Sequence, residues 1–226
     1  PSEYRSQKRG GVEVVDLDTK EEDFISIFLT ANTHANLLFF TDRGKAYQMK
    51  MYEIPEGKRA TKGKSVVNFL AIAPEERVTS VLAMPKDLKG SSLSLFMLTK
   101  MGVAKKCTAE SFADVRRNGL IAITLEPGDE LLAAKVTEKG DDVILATSDG
   151  QSIRFKEGDI RAMGRAAGGV RGMKLSGGDV IVGADVVKKG QKNLEVLVVS
   201  RNGYGKTTPE KEYKTQNRGG SGIKTV

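Results

Sequence analysis

Four short apolar runs each end in Thr or Ser and are followed three residues later by Gly: Leu37–Thr41 with Gly44, Leu95–Thr99 with Gly102, Val143–Thr147 with Gly150, and Val196–Ser200 with Gly203. The pattern recurs about every fifty residues, which is the mark of a repeat architecture. The residues behind each glycine alternate in polarity, as in Lys45-Ala46-Tyr47-Gln48-Met49-Lys50 and Ser152-Ile153-Arg154-Phe155-Lys156. An apolar run, a turn that wants glycine at positive φ, and an alternating run together predict a β-hairpin. Only Ala109–Val115 reads as a helical turn, and no long helix is expected. A unit of this size holds three to four strands, the content of a propeller blade, so the expected class is all-β.

Two further landmarks run in phase with the first. Gly63, Gly119, Gly169 and Gly222 register as equivalent, with Arg59, Lys62 and Lys64, then Arg116 and Arg117, then Arg161, Arg165 and Arg171, and finally Arg218 around them. Gln7-Lys8-Arg9-Gly10-Gly11 takes the corresponding place in an incomplete first unit. The third landmark is an apolar residue leading into a small or acidic turn: Ile72–Glu76, Leu125–Asp129 and Leu175–Asp179. Together they divide one domain, residues 1–226, into units at 1–33 (partial), 34–90, 91–140, 141–192 and 193–226 (partial).

Composition narrows the functional classes. No apolar stretch is long enough for a transmembrane helix and no secretory signal is visible, so a cytoplasmic protein is expected. His34 and Cys107 are the only His and Cys. His34 sits in a turn-like Ala31–Asn36 segment and reads as a locally bonded turn residue; Cys107 reads as a structural or surface thiol. With no strand–Gly-rich-loop–helix phosphate motif either, no catalytic site, metal site or cofactor is expected in this chain. The aromatics Phe39, Phe40, Phe69, Phe96 and Phe155 lie in strand-like runs and read as core, which leaves no stacking platform for single strands.

The formal charge of +7 and pI near 9.4 favour a polyanionic partner, and the placement of the charge says more than its total. Glycine lets backbone approach a phosphate while Arg forks onto its oxygens. Recurrence of that pair in every unit points to duplex backbone. The expected DNA-binding set is Gln7, Lys8, Arg9, Gly10, Gly11, Arg43, Lys45, Arg59, Lys62, Lys64, Lys105, Lys106, Arg116, Arg117, Arg154, Arg161, Arg165, Arg171, Arg201, Lys206 and Arg218. Repetition matters energetically. Bending about 40 bp through about half a turn costs on the order of 10 kcal/mol, whereas one non-specific patch supplies about 5 to 8 kcal/mol.

The chain resembles the C-terminal domain of the DNA gyrase A protein, and that of its topoisomerase IV relative, over essentially its whole length. The resemblance rests on Tyr4–Gly11, Leu37–Tyr47, Tyr52–Glu56, Val66–Leu70, Met163–Arg165 and Gly169–Gly172. It implies a β-pinwheel, a propeller-like disc of four-stranded blades that exchange strands, with double-stranded DNA wrapped on a basic rim. It also implies a role inside an ATP-dependent type IIA topoisomerase that introduces negative supercoils. The remainder of the gyrase A protein, together with the gyrase B protein, would be partners in an A2B2 holoenzyme, with ATP and Mg used elsewhere in it. The family's box of Gln, basic, Arg, Gly, Gly matches Gln7–Gly11, but Val12 stands where a cation is expected and Glu13 where a small residue is. That departure keeps open a topoisomerase IV-type domain that guides crossings with little wrapping. A propeller-like protein-interaction scaffold is the third reading.

Overall fold

The computed structural model describes residues 25–57 and 62–225. Gln7, Lys8, Arg9, Gly10, Gly11, Val12, Glu13 and Arg59 lie outside the described residues. The strands are β1 (Asn36–Thr41), β2 (Lys45–Lys50), β3 (Val78–Met84), β4 (Ser94–Thr99), β5 (Val103–Thr108), β6 (Leu120–Ile121), β7 (Leu131–Thr137), β8 (Asp142–Thr147), β9 (Gln151–Lys156), β10 (Val170–Arg171), β11 (Ile181–Val187), β12 (Glu195–Val199), β13 (Gly205–Pro209) and β14 (Ile223–Lys224). Among the described residues there is no α-helix. The helical turn expected at Ala109–Val115 is a 3-10 turn over Ala109–Phe112.

Each apolar run pairs with the alternating run behind it, and the turn glycine closes the hairpin. The amides of Gly44, Gly102, Gly150 and Gly203 donate to the carbonyls of Thr41, Thr99, Thr147 and Ser200 at 3.0, 3.1, 3.1 and 2.9 Å. All four have φ between 72° and 82°, a region that disfavours any residue with a Cβ.

The strands form three four-stranded antiparallel sheets, ordered β3-β1-β2-β6, β7-β4-β5-β10 and β11-β8-β9-β14, and a two-stranded β12-β13 sheet. In each complete sheet the last strand is contributed by the following unit. The fold is therefore an all-β pinwheel with strands exchanged between neighbouring blades. Alternation along each inner strand feeds two layers. Leu38 and Phe40 of β1 meet Leu95 and Met97 of β4 in one core, while Phe96 and Leu98 of β4 meet Val143 and Leu145 of β8 in the next. Leu37 and Phe39 pack with Tyr47, Leu70 and Ile72 on the far side of the first sheet. Phe155 is fully buried on β9 as expected, whereas Phe69, expected in a strand-like run, caps the 3-10 turn at Val66–Asn68 and packs only partly buried on a core edge. The space between the third and fourth sheets is looser, an open cavity of about 520 Å³ lined by Ile144, Ala184, Val196 and Val198.

The acidic turns of the third landmark are clamps. Glu76, Asp129 and Asp179 are buried, and each carboxylate holds a hairpin. Glu76 accepts from the hydroxyls of Thr41 and Tyr47. Asp129 accepts from the amide of Met101 at 2.9 Å. Asp179 accepts from the Ser148 hydroxyl at 2.8 Å and the Asp149 amide at 3.0 Å.

The same clamps correct one register. Glu76, Asp129 and Asp179 are equivalent, so Val66 stands where Gly119 and Gly169 stand, and Gly63 lies three residues too early. Gly119, Gly169 and Gly222 all have positive φ, and each opens a short exchanged strand. Gly63 lies outside the positive-φ set and is followed by a 3-10 turn at Val66–Asn68.

Two outcomes follow. A Cβ on Gly119 would sit 2.4 Å from the Tyr47 ring, whereas one on Gly178, also left-handed, would meet nothing within 4 Å. In urea unfolding, Gly178→Ala should cost about 1–2 kcal/mol for the backbone alone, and Gly119→Ala about 1 kcal/mol more because packing must shift. The second concerns Asp179. Burial pushes its pKa up, but hydrogen bonds from the Thr147 and Ser148 hydroxyls and the Asp149 and Val180 amides outweigh this and hold it below the ordinary 3.8. A depressed folded pKa gives stability that is present above the ordinary value and lost as pH falls through the folded one. Asp179→Asn should therefore flatten the decline in stability below about pH 4, read as unfolding midpoint against pH.

Candidate nucleic-acid interface

The exchanged segments carry exposed cations in every described unit, among them Lys64, Arg116, Arg117, Arg161, Arg171 and Lys224, and their backbones fix where those cations lie. Each segment crosses to the preceding sheet and docks beside its hairpin glycine. Ala122 and Ile123 donate to the Gly44 carbonyl at 2.8 and 3.1 Å, Gly172 and Met173 to that of Gly102 at 2.8 and 3.3 Å, and Thr225 to that of Gly150 at 2.7 Å. Each also bonds to its successor. The amide of Ala71 donates to the Arg117 carbonyl, Thr124 to Ala167, and Lys174 to Gly220, at 3.0, 3.3 and 2.9 Å. These three bonds occupy equivalent positions of successive units, so the segments form one continuous backbone relay from blade to blade.

Cations recur along that relay. In the exchanged pairs Lys45 lies opposite Ile121, Arg171 opposite Val103, and Lys224 opposite Gln151, one cation to each junction. Lys224 escaped the sequence reading although it follows Gly222 by the same two residues that separate Arg171 from Gly169. Lys100, in the second hairpin turn, was also missed. It reaches Glu130 at 3.7 Å. Arg43, Lys62, Lys64, Arg116, Arg161, Arg171, Arg201 and Lys206 are exposed. Arg165 is half-buried, and none of these nine makes an ion pair among the described residues. Three others are partly engaged. Lys45 lies 3.8 Å from Glu76, Arg117 pairs with Glu53 at 2.5 Å, and Arg218 donates to the Arg171 and Asp159 carbonyls at 2.6 and 3.2 Å.

Lys105, Lys106 and Arg154 depart from the expectation, because the structure turns them into the blades, Lys105 and Lys106 buried and Arg154 half-buried. Lys105 is 0% exposed, and its ammonium donates to the carbonyls of Ala122 and Arg165. Burial pushes its pKa down and pushes that of the neighbouring Cys107 thiol up, so Cys107 is an interior thiol. Lys106 bonds the carboxylate and carbonyl of Glu157. Arg154 bonds Asp142 at 2.8 Å and the carboxylate and carbonyl of Glu210. Glu157 and Glu210 open the 3-10 turns that follow β9 and β13, so these two cations are equivalent struts from one blade to the next. They recur because blades must be joined. The His34 amide bonds the Asn32 side chain at 2.9 Å, the local turn contact expected of that segment.

The family model for the DNA gyrase C-terminal domain, beta-propeller, matches residues 2–31, 35–83, 94–138, 141–188 and 194–226. The chain belongs to the DNA gyrase C-terminal domain family. It is 42% identical to the DNA gyrase A protein of Staphylococcus epidermidis (strain ATCC 12228 / FDA PCI 1200) and 44% identical to that of Staphylococcus aureus (strain MRSA252). Each match covers 100% of this chain and 25% of the relative, so the chain spans a quarter of the relatives' length. A solved DNA gyrase A C-terminal domain superposes with a TM-score of 0.83 at 29% identity, over 98% of this chain and 70% of that one. The C-terminal domain of a DNA topoisomerase IV shares the fold, with a TM-score of 0.79 at 24% identity over 92% of this chain and 64% of that one.

For this gyrase-type domain, strut and rim cations separate by experiment. Arg154→Ala leaves Asp142 and Glu210 without their cation and should cost about 3 kcal/mol in urea unfolding. Arg171→Ala should change stability by less than about 0.5 kcal/mol yet lower the slope of log K against log salt for duplex binding by about 0.9.

Proposed function

We propose that this domain binds duplex DNA without sequence preference through phosphate contacts along the exchanged segments, and bends the duplex around its edge. The observation that carries the reading is the backbone relay Ala71–Arg117, Thr124–Ala167 and Lys174–Gly220. It makes the basic segments of successive units into one track rather than separate patches. Arg43 and Lys45 with Arg116 and Arg117, then Lys100 with Arg161, Arg165 and Arg171, then Arg218 with Lys224, supply cations along it. Several sites acting together offset the elastic cost that exceeds the binding energy of any one of them.

Within a gyrase-type holoenzyme, the wrapped duplex would present a crossing segment of fixed handedness to the strand-passage gate, so that ATP-driven passage adds negative supercoils. The rest of the gyrase A protein, with the gyrase B protein in an A2B2 assembly, would supply cleavage and ATP hydrolysis with Mg. The setting is the bacterial cytoplasm at the nucleoid. Among the described residues, no helix is long and apolar enough to cross a membrane.

The test is relaxation of a plasmid by a nicking-closing enzyme with the chain bound, followed by topoisomer analysis. A shift in linking number that grows with bound chain is expected and shows chiral wrapping. Salt-sensitive binding with no shift would replace this reading by the topoisomerase IV-type one. Absence of duplex binding at low salt would leave the interaction scaffold.

A further inference from the structure

Among the described residues, the Lys105 ammonium is the buried cation that the ion-pair struts do not explain. Lys106 and Arg154 each meet a carboxylate, whereas Lys105 meets no carboxylate among the described residues: it lies beside the Cys107 thiol and donates to two carbonyls, those of Ala122 and Arg165. Those carbonyls belong to different exchanged segments. Ala122 follows β6, which completes the first sheet, and Arg165 precedes β10, which completes the second. Lys105 itself stands on β5 of the second sheet. One ammonium therefore spans from the segment carrying Arg116 and Arg117 to the segment carrying Arg161 and Arg165. A second bond reinforces the same junction, from the Thr124 hydroxyl to the Ala166 carbonyl at 2.7 Å.

The fold does not demand a lysine there. The equivalent positions, third in β2 and in β9, hold Tyr47, which turns its hydroxyl to Glu76, and Ile153, which is buried and apolar. An ammonium with three donors suits a site where two carbonyls must be held at a set separation, and it costs desolvation that an isoleucine would avoid. Resting on the duplex-binding reading, we infer that Lys105 is a positioning residue for the DNA track. It touches no phosphate, and it sets the spacing of the Arg116/Arg117 and Arg161/Arg165 segments from inside the blade.

The experiment uses the 226-residue chain carrying Lys105→Met, with Lys105→Ile, copying the third sheet, in reserve should the methionine variant not fold. The first readout needs no DNA. Amide exchange over 163–169 should quicken at least about fivefold while β8 and β9 keep their protection; unchanged exchange there overturns the inference. The second is binding of a 40-bp duplex across a salt series. The variant should bind about threefold to tenfold more weakly near 100 mM salt, with a slope reduced by about one to two, the size of one or two lost phosphate contacts. In an Arg161→Ala/Arg165→Ala background the same substitution should change affinity by less than about 1.5-fold, since its effect runs through those arginines. Equal losses in both backgrounds would mark a general structural role and overturn the inference. Should the unsubstituted chain show no salt-dependent binding, the duplex reading fails, and the exchange readout still decides whether Lys105 holds the segment.

Discussion

Every complete sheet among the described residues depends on a strand it does not own. Strands β2, β5 and β9 would each be an open edge, with unpaired amides and carbonyls facing water, had β6, β10 and β14 not been lent by the next unit. The loan is small in residues, two per strand, but it is anchored on both sides. The hairpin glycine carbonyl accepts from the incoming segment, and the segment's own glycine, left-handed at Gly119, Gly169 and Gly222, lets the chain turn into register without a Cβ in the way. Closing an edge in this manner removes a template for unwanted pairing and joins blades by hydrogen bonds as well as by core packing.

The exchanged segments also carry exposed cations, Arg116, Arg117, Arg161, Arg171 and Lys224 among them, and their exposure has a physical basis. A segment that leaves its own unit to reach the neighbour's edge must run along the outside of the stack, so the side chains it does not turn into a core, such as those of Arg116, Arg117, Arg161 and Arg171, face solvent. Its backbone, by contrast, is committed to the neighbour. Exposed arginines on a rigid backbone lose little additional freedom when they meet phosphate, which favours binding over the same charges on a loose loop. The interior cations act differently. Lys106 with Glu157, and Arg154 with Asp142 and Glu210, are matched by carboxylates, so their charge is neutralised where it stands and the outward field comes from the exposed cations of the segments and hairpin turns.

The hairpins, the all-β class and the blade-sized repeat were legible in the sequence because each rests on local chemistry. An apolar run must be covered, and a glycine at a left-handed turn has few substitutes. The acidic turns were visible as turns but not as clamps, since nothing local says that Asp129 reaches back to the amide of Met101. Registering Gly63 with Gly119 failed for a related reason. Glycine was matched to glycine, whereas the position is set by its distance from the buried carboxylate, and there the second unit carries Val66 and a 3-10 turn.

Lys105, Lys106 and Arg154 expose the limit of reading exposure from alternation. In a strand with one wet face, polar positions point to water; β5 and β9 have no wet face, because a neighbour's core lies on one side and an exchanged segment crosses the other. Polar residues at those positions must then find partners inside the protein, and a long cation can reach a carbonyl or a carboxylate that a short side chain cannot. A cue was nonetheless present. The position of Lys105 is Tyr in one unit and Ile in another, a pairing that a solvent-facing site has no reason to hold, whereas the position of Arg171 is Ile121 in one unit and Lys224 in another and stays exposed in all three. Repetition of charge therefore marks a constraint shared by the units, and what the same position holds in the other units helps decide whether that constraint faces the neighbour or the duplex.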